Sequence, residues 1–186
     1  MANVIDILVT VDAQSIMEDY GKISNNINAP TFLSNGNKYI HMLAKSKYVI
    51  QGQGGSDLQV KAKNGDTIRW RGVTLSKDSE YSAALLKLYP VFQTPTEASY
   101  FFVPPEVKPI HSYVPVLKSD NPVPNPNPLE VDLQEIFSYY WDITVKNMPP
   151  PGNAATEYYA FIVGIYDNGN FRGYVNWDPA IILDNR

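Results

Sequence analysis

Tyr166-Asp167-Asn168-Gly169-Asn170-Phe171-Arg172-Gly173-Tyr174-Val175-Asn176-Trp177-Asp178-Pro179 decides the class of this chain. An Asn-Gly pair stands between segments of alternating apolar and polar residues, the strongest short-range hairpin signal a sequence carries. The cause is steric. A type I′ turn needs positive φ at both central residues, which Asn tolerates and Gly adopts freely. A second pair lies in Asn64-Gly65-Asp66-Thr67-Ile68-Arg69-Trp70-Arg71. There Leu58, Val60 and Ala62 share one face before the turn, and Ile68 and Trp70 alternate after it. The sequence thus predicts two hairpins, which hold Trp70 and Trp177, two of the three tryptophans.

The flanking segments extend the β reading. Ile5, Ile7, Val9 and Val11 alternate with Asp6, Leu8, Thr10 and Asp12, as in a strand with a buried face. Asp12 is placed to cap a short helix over Ala13–Tyr20, with Gly21 at its end. Lys22–Asn37 reads as a long loop, followed by strands at about Tyr39–Ala44 and Tyr48–Gln51. Gly52-Gln53-Gly54-Gly55-Ser56 breaks the chain; without a following Lys and helix it is a connection rather than a phosphate loop. Further strands are expected within Tyr81–Phe92, where Ala83-Ala84-Leu85-Leu86 also fits a helix, and at Tyr100–Val103. Ten of the fifteen prolines lie between Pro90 and Pro128. Val123-Pro124-Asn125-Pro126-Asn127-Pro128 lacks ladder donors at its prolines and reads as extended. Residues 104–128 are therefore expected to be a Pro-rich crossover, with strands after it at about Tyr139–Lys146, Glu157–Tyr166 and Phe171–Asn176. The expected fold is all-β: one domain over residues 1–186, an antiparallel two-sheet sandwich of Greek-key, cupredoxin-like or jelly-roll-like type, with at most two short helices.

Composition narrows the function. A chain of 186 residues buries roughly 70% of its unfolded surface and needs no staple. It has no cysteine, which excludes disulfides and thiolate sites. Met1–Asp6 lacks signal-peptide features, and no apolar run approaches the ~20 residues that span a membrane. The expectation is a cytoplasmic protein without a membrane partner. Net charge is −4 and the basic residues are dispersed; Lys61, Lys63, Arg69 and Arg71 form the densest group, expected as one solvated hairpin face. That argues against a nucleic-acid partner. Charged residues make up 18%, below the usual ~25%, and 13 tyrosines help fill the balance. Tyrosine suits a pleated, half-buried surface as well as an interface.

Leu58–Arg71 resembles the strand-turn-strand of cupredoxin-type sandwiches. A blue-copper site needs two imidazoles and a thiolate, however, and only His41 and His111 are present. His41 lies in an alternating strand, and His111 is expected in an exposed loop. No Gly-x-Ser-x-Gly elbow occurs. Glu130 and Asp132, or Asp6 and Asp12, would serve glycoside hydrolysis only at particular separations. Asp167-Asn168-Gly169-Asn170 opens like a calcium loop without its distal Glu or twelve-residue frame. No catalytic residue, metal or cofactor is assigned. The candidate ligand-binding residues are Asp66, Trp70, Asp167, Asn168, Asn170, Arg172, Trp177 and Asp178, in which an indole would stack a sugar face and the polar groups bind its hydroxyls.

Five segments together resemble the AidA/PixA family of bacterial inclusion-body proteins. They are Val4–Ala13, Tyr39–Leu43, Gly65–Arg71, Tyr140–Ile143 and Gly173–Ile181, in an order that spans the chain. The resemblance implies an abundant, non-catalytic protein of Gram-negative bacteria, some members of which form crystalline cytoplasmic inclusions and are regulated with population density. Its partner would be a further copy of itself, with glycan binding as the alternative. Family members are described as methionine-rich, whereas this chain has four methionines. That departure speaks against amino-acid storage and leaves ordered self-assembly.

Overall fold

A computed structural model describes residues 2–76, 80–91, 105–118 and 128–186. β1 (Val4–Val11) turns Ile5, Ile7, Val9 and Val11 inward, as its period of two requires. The Asp12 carboxylate then accepts the Ser15 amide at 3.0 Å and the Ser15 hydroxyl at 2.7 Å, capping α1 (Ala13–Tyr20). Gly21, at φ 62°, ends it. The expected long loop contains β2 (Thr31–Phe32) and runs into α2 (Gly36–Tyr39). After β3 (Ile40–Ala44) and β4 (Val49–Gln51) come β5 (Gln59–Ala62) and β6 (Thr67–Thr74). β7 (Tyr81–Val91) is a strand throughout, including Ala83–Leu86. β8 (Glu106–Leu117), β9 (Val131–Thr144), β10 (Ala154–Asp167), β11 (Asn170–Trp177) and β12 (Ala180–Asp184) complete the order.

The strands form the all-β two-sheet sandwich that the alternation predicts. One sheet runs β3-β1-β6-β9-β8; the other runs β2-β11-β10-β12-β5-β4, with β7 on β10. Most ladders are antiparallel, while β1·β6, β12·β5 and β2·β11 are parallel. Between the sheets lies a core of apolar side chains. Trp70 from the first sheet meets Tyr159 and Phe161 of the second, at ring-centroid distances of 5.1 and 5.9 Å. Phe161 in turn lies 5.6 Å from Trp177.

The two Asn-Gly pairs behave differently. Asn168 (φ 47°) and Gly169 (φ 77°) both take positive φ, and Asp167 pairs with Asn170 in the expected type I′ hairpin. At the other pair only Gly65 is positive (φ 84°), so the turn lacks the twist that returns a strand alongside its predecessor. β5 and β6 accordingly belong to different sheets, and Lys63–Asp66 is an arch between them. Lys61 and Lys63 are thereby separated from Arg69 and Arg71, and the single basic face expected there does not form.

The proline-rich region also departs from expectation. Residues 106–117 of the predicted crossover are β8, paired without interruption from Glu106↔Asp142 to Leu117↔Val131. His111 is therefore a strand residue, though exposed. Proline is tolerated because β8 is an edge strand: alternate residues turn their backbone groups away from β9, and Pro109 and Pro115 share that parity. β9 begins at Val131, well before the expected Tyr139. Beyond Asp178-Pro179, β12 pairs with both β10 and β5. The expected strand at Tyr100–Val103 and the extended Val123–Asn127 lie outside the described residues.

Candidate functional site

The eight residues singled out in the sequence occupy four separate places. Asp167, Asn168, Asn170 and Arg172 surround the tip of the β10–β11 hairpin. The Asp167 carboxylate pairs with the Arg172 guanidinium at 3.0 Å and accepts the Asn168 side-chain amide at 3.0 Å. These groups brace one another across the turn. Phe171 lies beside them with its ring 4.7 Å from Tyr174 and 5.6 Å from Tyr166, a cluster that polar-residue reasoning missed.

Asp66 belongs to the arch. It is 4% exposed and accepts the Asn3 amide at 2.7 Å, the Asn3 side-chain amide at 3.0 Å and the Lys63 amide at 3.0 Å. Its carboxylate holds the turn and the N-terminal segment together. Trp70 is fully buried and Trp177 is 2% exposed, so neither presents a ring face for a sugar to stack on. The platform role expected for both is corrected by the packing: each indole fills the space between the sheets.

Trp177 and Asp178 lie at the opposite end of β11 from the hairpin tip. They border an open recess of about 140 Å³ with Ser34, Asn37, Ser56 and Asp57. Asn37 organises it, accepting the Ser56 amide at 2.8 Å and donating to Asp57 at 3.2 Å. Partial burial, with the Asp57 charge beside it, raises the Asp178 carboxyl above its ordinary range. The two histidines are on β3 and β8, the opposite edges of one sheet, and share no site. Among the described residues no group of three or more His, Cys, Asp and Glu is placed to hold a metal.

The most distinctive surface is a ribbon formed by β8 and β9. β6 pairs with β9 only from Trp141 to Thr144, so among the described residues Val131–Tyr140 pairs with β8 alone. At its base the Tyr139 hydroxyl and the Trp141 indole both donate to the Leu85 carbonyl, at 3.1 and 2.8 Å. Those bonds fasten the ribbon to β7 of the other sheet. Trp141 pairs with Trp70 and faces the core. By strand alternation, the face that carries Trp141 continues outward as Tyr139, Phe137, Glu135, Leu133 and Val131. Opposite them on β8 stand Pro109, His111, Tyr113, Pro115 and Leu117. Phe137 is 80% exposed, Leu133 67% and Tyr113 63%. The core-facing side of the first sheet therefore runs past the sandwich into solvent. Only His111 and Glu135 interrupt it with polar side chains, bonded to each other at 2.8 Å, with the His111 ring 4.5 Å from Phe137. The signal in the sequence was the period-two run Val131, Leu133, Phe137, Tyr139, Trp141; two prolines obscured its counterpart on β8.

No helix among the described residues is long and apolar enough to cross a membrane. Among curated proteins, none matches the chain. Among solved structures it is similar to the inclusion body protein PixA of Burkholderia cenocepacia, with a TM-score of 0.73 and 19% identity over 98% of this chain and 97% of that one. At that identity the likeness shows the fold. The family model for the PixA inclusion body proteins matches residues 3–183, nearly the whole sequence. The chain belongs to the PixA family of inclusion body proteins.

Proposed function

We propose that this protein is a non-catalytic, self-associating protein that accumulates in cytoplasmic inclusions. The observation that carries the reading is the β8–β9 ribbon, whose core-side face runs past the sandwich and exposes Phe137, Leu133, Tyr113, Leu117 and Val131 side by side. Soluble monomers rarely leave so large a contiguous apolar surface in water, and such patches mark protein contacts. Membership of the PixA inclusion body proteins supports the same reading. A net charge of −4 offers little long-range repulsion between copies.

The test has two readouts. Sedimentation velocity of the purified protein should show association that grows with concentration, and electron microscopy of expressing cells should show compact inclusions. A monomer at every concentration, diffuse in cells, would contradict the proposal.

A further inference from the structure

We infer that two copies of this chain dock the Phe137 faces of their β8–β9 ribbons against each other, each completing the sandwich that the other leaves open. This rests on the self-association reading and specifies its contact. Three observations favour a second copy as occupant.

The first is continuity with the core. The exposed face lies in register with Trp70, which packs on Tyr159 and Phe161 of the second sheet, and with Trp141, which bonds the Leu85 carbonyl of β7. Beyond Tyr139 the same kind of side chain has the same need for an opposing layer. A second ribbon presents such a layer, apolar except for the mutually bonded His111 and Glu135 side chains.

The second is area. Val107, Tyr113, Leu117, Val131, Leu133 and Phe137 are between 45% and 80% exposed and occupy one face. Together they offer on the order of the 800 Å² per partner that a standard stable interface covers. An aromatic centre with Phe137 and Tyr113 has the composition of an energetic hot spot.

The third concerns the edge. Val107, Pro109, His111, Tyr113, Pro115 and Leu117 turn their backbone groups away from β9, because proline has no N–H to give to it. Two of these six positions thus lack a donor on the outer edge of β8. Proline on an edge strand discourages sheet-to-sheet addition, which leaves the side-chain face as the means of contact. A symmetric, face-to-face contact closes on itself as a dimer. Larger inclusions would then grow from dimers through a second, different surface.

The experiment compares sedimentation of wild type with Leu133→Asp/Phe137→Asp and with Gln134→Asp, which lies on the opposite face of the same strand. The first variant should weaken association by about 100-fold or more, the effect of losing a central aromatic anchor; the second should associate like wild type. Hydroxyl-radical footprinting of the wild-type protein supplies a readout that needs no variant. Oxidation of Phe137 and Tyr113 should fall several-fold as concentration rises into the associating range, while Phe171 at the hairpin tip stays unchanged. Undiminished association of Leu133→Asp/Phe137→Asp, with Phe137 unprotected, would overturn the face contact and leave self-association standing. Loss of association in Glu135→Pro alone would place the contact on the edge of β9 that no described strand pairs with, and also overturn it. A wild-type protein that never associates would remove the functional reading itself.

Discussion

Trp70 donates its indole N–H to the hydroxyl of Tyr159 at 2.9 Å, a buried hydrogen bond that crosses from one sheet of the sandwich to the other. Both residues are also in ring contact, with centroids 5.1 Å apart. Apolar packing alone would let the sheets slide over one another; a directional bond at the centre fixes their relative position. A buried polar pair is stable only while both partners are present, because each would otherwise be left dry and unbonded.

Tyr159→Phe keeps the ring but removes the acceptor, leaving the Trp70 N–H buried without a partner. The expected loss is about 1–3 kcal/mol, read from urea denaturation of wild type and variant. A cost below the scatter of the fits would show that the bond contributes nothing net.

Burial also pushes the Tyr159 phenol well above its ordinary value, the bond from Trp70 acting more weakly in the opposite sense. In the unfolded chain this phenol ionises near 10. Above that pH the unfolded state releases a proton that the native state retains, so stability is full below about 10 and falls as the pH rises further. The stability lead of wild type over Tyr159→Phe should therefore shrink between pH 9 and pH 11, by roughly 1 kcal/mol per unit once past 10. A difference independent of pH would show that the phenol ionises equally in both states.

Asp66 was a candidate ligand-binding residue from sequence, and its hydrogen bonds make it the latch of the arch. Asp66→Ala would strand two backbone amides, of Asn3 and Lys63, and is expected to cost about 3 kcal/mol. Thermal unfolding with and without the substitution measures this. An unchanged transition midpoint would return Asp66 to the list of candidate ligand-binding groups.

Gly173 is constrained in two ways. Its φ is 144°, and a Cβ there would lie 2.6 Å from Ile23 Cγ1 and 2.7 Å from the Ser24 carbonyl oxygen. That carbonyl accepts the Tyr174 amide at 2.7 Å, so the backbones need the close approach. Gly173→Ala is expected to destabilise the fold by about 2–3 kcal/mol, through strain and forced repacking. Denaturant titration showing a change under half that size would mean the Ile23–Ser24 segment yields easily.

Local chemistry was legible in the sequence, and partner choice was not. β1 follows from strict alternation, the start of α1 from the Asp12 carboxylate, and the Asn168-Gly169 hairpin from two residues that accept positive φ. Asn64-Gly65 has the same letters, yet Asn64 keeps a negative-φ backbone and the chain crosses to the other sheet. Nothing local separates those outcomes; they depend on which sheet has room for β6. β8 was hidden by Pro109 and Pro115, since proline forbids a central strand but permits an edge, and edge position is a property of the whole sheet. By sequence Trp177 suited a core anchor better than a sugar platform, without excluding the platform. Burial decides for the core, and the surface that remains to be explained is the Phe137 face.

Sedimentation velocity of the wild-type protein from about 1 μM to about 1 mM, a range that spans ordinary interface affinities, tests the central claim most directly. The account predicts a shift from monomer to dimer and then to larger species as concentration rises. A single monomeric boundary across the whole series, with Phe137 as reactive to solvent at the top as at the bottom, would contradict it.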